Sequence, residues 1–287
     1  MAAPTVHVAG TNGKGTENTG WHAGRIVKRM FGGPLLLRSM GIRRRSFFIP
    51  AALGLALVGW GAGRLSSRIA VAASQPYQPC PGSGEPCRIL PLGDSLTSGI
   101  GYEGGYRVAL FQLARAAGKS IAFTGSLRNG PANVGGVAFP RQHEGRSGWK
   151  IEDVMAIVPR PALKTVPHII LLHVGTNDLY AGATPQRMAD RLEALIGRLQ
   201  QAAPQALIAV AEIVPLTDPA LRELAERYNG ELRQRVQARR ARAEHLLVVD
   251  QFTHFPSTLL SDGVHPTQLG YEQMASAWYA GIAAYLR

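Results

Sequence analysis

From Arg88 onward the chain alternates between two rhythms of apolar and polar positions. Short, largely apolar runs occupy residues 89–92, 120–124, 168–174, 206–214 and 246–249. Runs of this length, bounded by glycine, proline or charge, predict strands buried on both faces. Between them the spacing turns helical. Residues 106–117 carry Val108, Leu110, Phe111 and Leu113 and stop at Gly118, and residues 185–201 set Met188, Leu192, Leu195, Ile196 and Leu199 on one face. Residues 151–158, ended by Pro159 and Pro161, and residues 220–243 and 266–286 complete the predicted helices. Strands alternating with helices predict an α/β domain, a three-layer α/β/α sandwich around a five-stranded parallel sheet. Residues 126–149 fit neither rhythm: they form a long, polar, glycine-rich stretch. In such sheets the site opens outside the carboxyl ends of the strands, where the polar residues of this chain collect.

Charge changes the picture ahead of the body. The formal net charge is +12, but residues 1–73 hold ten Lys/Arg against the single acid Glu17, while residues 74–287 hold 21 against 18. The basicity belongs to the leader, so a nucleic-acid partner is not expected. Arg43-Arg44-Arg45 precede an uncharged run over 46–63, Arg64 closes it, and Ala70-Val71-Ala72 follows. These are the parts of a secretory signal. The alternative is an uncleaved membrane anchor through residues 47–63; both readings place the body outside the cytoplasm. Because a basic segment of this kind normally stands near the first residue, translation is expected to begin near Met40 or Met30.

With 46% hydrophobic residues the chain is not disordered throughout, and with two cysteines it is not a disulfide scaffold. Cys80 and Cys87 bracket Pro-Gly-Ser-Gly-Glu-Pro in a linker over 74–87, where an oxidising compartment would join them. Their spacing suits neither a zinc site nor a redox C-x-x-C. Residues 6–16, VHVAGTNGKGT, resemble the nucleotide loop of folylpolyglutamate synthase and the Mur ligases. Val8 stands where the general P-loop has glycine, and neither a helix pattern nor an ATPase domain follows, so no nucleotide role is expected.

Four polar segments carry the chemistry. Gly93-Asp94-Ser95-Leu96 follows the first strand, His143-Glu144-Gly145-Arg146-Ser147-Gly148-Trp149 ends the long stretch, Gly175-Thr176-Asn177-Asp178 follows the third strand, and Asp262-Gly263-Val264-His265-Pro266 precedes the last helix. Ester hydrolysis needs a nucleophile, a base, a group that orients the base, and donors for an oxyanion. Ser95 sits on a strand-to-helix turn among small neighbours. Histidine ordinarily titrates near neutrality, which makes His265 the natural base. Asp262, three residues earlier, can fix the imidazole tautomer. The Ser95 N–H, the Gly145 N–H and the Asn177 side-chain amide are the candidate oxyanion donors.

In this order and spacing the four segments resemble the SGNH/GDSL hydrolase family over roughly residues 87–287. Gly104-Gly105-Tyr106-Arg107, HEGRSGW and DGVHP are most similar to carbohydrate esterase family three, a group associated with acetyl esters on xylan. The resemblance implies a flavodoxin-like sandwich of the SGNH type over residues 88–287 and gives Ser95, Gly145, Asn177 and His265 the same roles. Asp94 and Asp178 read as structural, His173 as a packed, hydrogen-bonded core residue, and His254 as a poor rival base. Tyr106, His143, Arg146 and Trp149 either line the mouth of the site or pack the long loop. The histidines lack paired ligand spacing, and no metal or other cofactor is expected. The expected function is a secreted serine esterase acting on short acyl, chiefly acetyl, esters of carbohydrate. The alternatives are a lipase, lysophospholipase or thioesterase on the same site, or a non-catalytic cell-surface glycan-binding module.

Overall fold

The computed structural model describes residues 76–287 apart from 83 and 243. The leader, its apolar run, the Ala70-Val71-Ala72 site and the glycine-rich segment at 6–16 lie outside the described residues. Among the described residues no helix is long and apolar enough to cross a membrane.

The chain enters at β1 (Cys87–Gly93), turns through α1 (Ser95–Ser98) into α2 (Tyr106–Ala116), and returns as β2 (Ile121–Phe123). The long polar stretch holds four short strands: β3 (Leu127–Arg128), β4 (Asn133–Val134), β5 (Val137–Ala138) and β6 (Gln142–Gly145). Then follow α3 (Ile151–Ala156), β7 (Ile169–His173), α4 (Thr176–Tyr180), α5 (Pro185–Ala202), β8 (Leu207–Ala211), α6 (Pro219–Arg240), β9 (Leu246–Val249) and α7 (Gln268–Ile282).

Alternation along each strand builds the two outer layers. Ile89, Ile169, Leu171, Leu207, Ala209, Leu247 and Val249 pack with α2 and α7. Their neighbours Leu90, Leu92, Ile170, Leu172, Ile208, Val210 and Leu246 pack with α3, α5 and α6. Both faces of the sheet are thus apolar, the burial pattern of parallel strands. The long helices α5, α6 and α7 begin on side-chain caps: Thr184 accepts from the Arg187 N–H (3.4 Å), Asp218 from Leu221 (2.9 Å) and Thr267 from Gly270 (3.2 Å). Pro185 and Pro219 fill first turns, where a missing N–H costs nothing.

Five strands are parallel, as the sequence predicts, and they run in the order β2-β1-β7-β8-β9. The sheet is larger than predicted because β2 pairs only with Cys87–Ile89 of β1. That leaves the last residues of β1 with a free edge. There β6 adds in parallel, Leu92 facing Glu144 and Gly93 facing Gly145, and β3 adds antiparallel to β6. The strand order reverses between β1 and β7, and in sheets of this kind the ligand crevice lies at the carboxyl ends of the strands beside that switch. The Cys80–Cys87 disulfide forms as expected and ties the entering segment to the start of β1.

Candidate active site

The turn after β1 is dictated by crowding. A Cβ on Gly93 would lie 2.0 Å from the His173 carbonyl oxygen, so only glycine fits. Asp94 caps α1 by accepting from the Leu96 N–H (3.1 Å), and Gly99 ends the helix at φ +92°. This four-residue helix holds Ser95 at its first turn, where the serine N–H has no intrahelical partner.

Across the crevice, the loop before α7 carries Asp262 and His265. Asp262 Oδ1 accepts from the Val264 and His265 N–H groups (3.0 and 2.7 Å), and Gly263 at φ +87° lets the chain turn between them. Asp262 Oδ2 lies 2.7 Å from His265 Nδ1, and His265 Nε2 lies 2.9 Å from Ser95 Oγ. Partial burial would raise the Asp262 carboxyl, but the His265 amide and ring and the Val264 amide hold it at about 2. An ionised Asp262 can only accept, so Nδ1 carries the imidazole proton and Nε2 is left to accept from the serine hydroxyl.

The turn after β7 is latched to α3. Asn177 Nδ2 donates to the Trp149 carbonyl (2.9 Å), which orients the amide and leaves its second hydrogen uncommitted. Asp178 Oδ2 accepts from the Ile151 N–H at the start of α3, and Oδ1 from the Arg191 guanidinium (2.9 and 3.0 Å). Gly175 at φ +136° lies against the Tyr228 ring, which a Cβ would strike. Ser95, Asp262 and His265 thus meet through hydrogen bonds from two loops, while Asn177 opens α4 after the neighbouring strand β7.

Other expected residues are placed differently. The Gly145 N–H donates to His143 Nδ1 (3.0 Å), inside the protein. Position 145 is glycine because α1 rests on it: a Cβ would lie 2.2 Å from the Ser98 nitrogen. Tyr106 is fully buried, so it does not line the mouth; its hydroxyl donates to Thr97 Oγ1 (3.4 Å) and its ring meets Trp278. His143 is buried as well; burial, then Arg107 and Arg146, push it down to about 3, so it is a neutral acceptor. For these two residues the packing reading replaces the substrate-lining one. Arg146 lies 4.7 Å from the centre of the Trp149 ring, bonds the buried Glu144 (3.1 Å) and donates to Ser126 Oγ (3.2 Å), bracing the loop while both it and Trp149 stay partly exposed.

Asp94 and His173 carry buried polar atoms without partners, Oδ2 of the first and both ring nitrogens of the second. Burial raises Asp94 to about 7 and lowers His173 to about 4. Among the described residues no cluster of metal-ligating side chains occurs.

Three features escaped the sequence reading. Arg107 is fully buried and bonds the carbonyls of Ser98, Asn129 and Arg141 (3.4, 3.5 and 3.3 Å) and the Asn129 side chain, tying the end of α1 to the long loop. Burial lowers it to about 10. Its spacing from Leu110, Phe111 and Ala114 was the available signal, because it shares their buried helix face. Glu144, fully buried, accepts from the Ser126 N–H (2.5 Å) and Arg146. Finally, Ile100, Tyr180 and Leu269 are exposed on segments that adjoin Ser95, Asn177 and His265. The Ile100 N–H donates to the Ser95 carbonyl (3.3 Å) and its own carbonyl accepts from Tyr271 (2.9 Å).

Residues 92–273 match the family described as GDSL-like Lipase/Acylhydrolase. Over 228 residues the chain is 28% identical to a multidomain esterase of Ruminococcus flavefaciens, covering 70% of this chain but 29% of that relative, which is therefore a much longer protein. Among solved structures it is similar to a family 3 carbohydrate esterase of Clostridium thermocellum, with 30% identity, a TM-score of 0.61, and 70% of this chain against 96% of that one. A carbohydrate esterase family 3 structure from Talaromyces cellulolyticus shares the fold at 24% identity and a TM-score of 0.58, over 67% and 94% of the two chains. With the family matched over more than half of its length, the chain belongs to the GDSL-like lipase/acylhydrolase family and is a carboxylic ester hydrolase.

Proposed function

We propose that the protein is a secreted serine esterase that removes short acyl groups, chiefly acetyl, from carbohydrate. The observation that carries the reading is the hydrogen-bonded line from Ser95 Oγ through His265 to Asp262, at 2.9 and 2.7 Å. Ser95 Oγ attacks the ester carbonyl carbon as His265 Nε2 takes its proton. The oxyanion rests on the Ser95 N–H and the free hydrogen of Asn177 Nδ2. Collapse breaks the bond to the leaving oxygen, which takes the proton from Nε2 and departs as alcohol. Water then gives a proton to His265, attacks the acyl-serine, and the second collapse restores Ser95 and releases the acid. Asp262 stabilises the imidazolium in both steps.

Carbohydrate as substrate is supported by the relatives named above and by the exposed Tyr180 ring at the end of the helix that carries Asn177, which offers a face to a sugar. Short acyl groups are favoured by the polar, glycine-rich stretch over 126–149. Secretion is supported by the basic-apolar leader and by the disulfide; an uncleaved leader would anchor the protein through residues 47–63.

The test compares residues 74–287 with the Ser95→Ala variant on aryl esters of increasing acyl length and on acetylated xylan. Expected are a loss of about 10³-fold or more in the variant and a peak at acetyl with acetate released from xylan. Undiminished activity in Ser95→Ala would remove the serine assignment. A peak at long acyl chains would move the protein to the lipases or thioesterases, and glycan binding without turnover would make it a binding module.

A further inference from the structure

Asn177 is carried by α4, five residues long, and its amide is held by the carbonyl of Trp149, two residues ahead of α3, which is six residues long. Helices this short do not persist by themselves in water, so contacts from outside set where each one points. The longer α5 can supply them. It runs 18 residues, and Met188, Leu192, Leu195, Ile196 and Leu199 fasten one face of it in the core. Arg191, beside Leu192 in that helix, reaches both short helices with a side chain that is 25% exposed.

One guanidinium makes both contacts. Arg191 Nη1 donates to Asp178 Oδ1 (3.0 Å) in the first turn of α4, and its Nε lies 3.1 Å from Glu152 Oε1 in the first turn of α3. The other Asp178 oxygen, Oδ2, accepts from the Ile151 N–H (2.9 Å), one of the donors that α3 leaves without an intrahelical partner. A single buried carboxylate therefore stands at the start of both helices, and the planar fork of Arg191 closes the link from α4 back to α3. Burial raises the Asp178 carboxyl, while the Ile151 amide and Arg191 pull it back. Asn177 is thus gripped from two sides. Its chain neighbour Asp178 is fixed to Arg191, and the segment whose carbonyl holds its amide is fixed to Arg191 through Glu152 and to Asp178 through Ile151.

The Asn177 amide has one hydrogen on the Trp149 carbonyl and one uncommitted, so its strength as a donor depends on the angle at which the second hydrogen points. We infer that Arg191 is a positioning residue for the reaction: by fastening α3 and α4 to α5 it fixes the direction in which Asn177 presents that hydrogen to the oxyanion. The inference rests on the reading given above, in which Asn177 donates to the oxyanion, and deepens it by naming the group that aims the donor. Arg191 acts through Asp178, Glu152 and Asn177, so its loss weakens the transition state and leaves ground-state binding alone.

The test is a double-mutant cycle on the full chain, with kcat and KM read on an aryl acetate. Asn177→Ala is expected to lower kcat about 10²-fold. Arg191→Gln is expected to lower kcat about tenfold with KM within about twofold of wild type, because the donor is present but misaimed. In the Asn177→Ala background Arg191→Gln should change kcat by less than about twofold, since no donor is left to aim. Arg191→Lys keeps a cation on the buried Asp178 but cannot bridge both carboxylates as the fork does. It should recover part of the loss, and it carries the same cycle if Arg191→Gln folds poorly. Both Arg191 variants at wild-type kcat, beside an impaired Asn177→Ala, would overturn the inference and leave the esterase reading standing. An equal loss in both backgrounds would show a structural role alone and overturn it as well. Asn177→Ala at wild-type kcat, or a chain without ester turnover, would remove the donor reading itself and the inference with it.

Discussion

Replacing Gly145 with alanine tests how tightly the helix that carries Ser95 is seated. The added Cβ would fall 2.2 Å from the Ser98 nitrogen and 2.5 Å from the Thr97 carbonyl carbon. Ordinary contact begins at 3.4 Å, so α1 or β6 must give by about 1.2 Å, the difference between 3.4 and 2.2 Å. Both obstructing atoms are backbone, so no rotamer change relieves the clash. The Ser98 and Thr97 backbones belong to the same four-residue helix as Ser95. A shift of that size opens the 2.9 Å contact between Ser95 and His265 beyond hydrogen-bonding range. A misplacement of about 1 Å costs roughly 10²-fold in rate, while overpacking costs about 1–3 kcal/mol in stability. Gly145→Ala is therefore expected to lower kcat on an aryl acetate about a hundredfold in a protein that still melts cooperatively. The control is Gly197→Ala, in the middle of α5 with nothing within 4 Å of the new Cβ. That change should leave kcat alone and add about 0.5–1 kcal/mol of stability. A Gly145→Ala enzyme within threefold of wild-type kcat, with Ser95 still required, would refute the reasoning.

Other expectations follow from the same contacts. Burial raises Asp94 from 3.8 to about 7, so the folded protein keeps a proton that the unfolded chain releases. The stability this contributes is complete below about pH 4 and is lost as pH rises through 7. Asp94→Asn, which still caps α1, should flatten the Tm-against-pH curve between pH 4 and 8; an unchanged slope would rule the group out. Asp262 has the opposite sign: held at about 2, it gives stability that is present above pH 4 and lost only as pH falls through 2. Asp262→Asn should cut kcat by roughly 10²–10⁴ and lower Tm more at pH 7 than at pH 2, and a kcat within fivefold of wild type would contradict its orienting role. Arg146→Leu strands the buried Glu144 and should cost about 3 kcal/mol in urea unfolding, with much of it recovered by adding Glu144→Gln. Equal losses in the single and double variants would show that the ion pair is not what matters. Reducing the Cys80–Cys87 bond should lower Tm by roughly 4–12 °C without loss of kcat; an unshifted melt would mean that the bridge does not constrain the unfolded chain.

The order of strands and helices was legible along the chain because each parallel strand is apolar on both faces. The runs at 168–174 and 206–214 therefore stood out without alternation. The segments that meet in the crevice were legible too. A serine on a strand-end turn and a histidine three residues after an aspartate are short-range arrangements, and the switch in strand order brings them together. The strands in residues 126–149 were not. The strand β6 reads Gln-His-Glu-Gly, with no apolar period, and exists because β1 has a free edge there and because Ser126, Arg146 and Gly145 satisfy its buried polar groups.

Sequence by itself thus determined the alternation of strands and helices, the burial of the parallel strands on both faces and the polar segments that follow β1 and β7. Only the tertiary structure decided which polar side chains face solvent. Tyr106 and His143 share a composition with residues that line sites, yet the first lies under α7 and the second accepts the Gly145 N–H. It alone brought Arg191 to Glu152 and Asp178. Periodicity reports which way an element faces its own layer; whether a polar atom finds a partner depends on elements far away in the chain, and burial sets the cost when it does not.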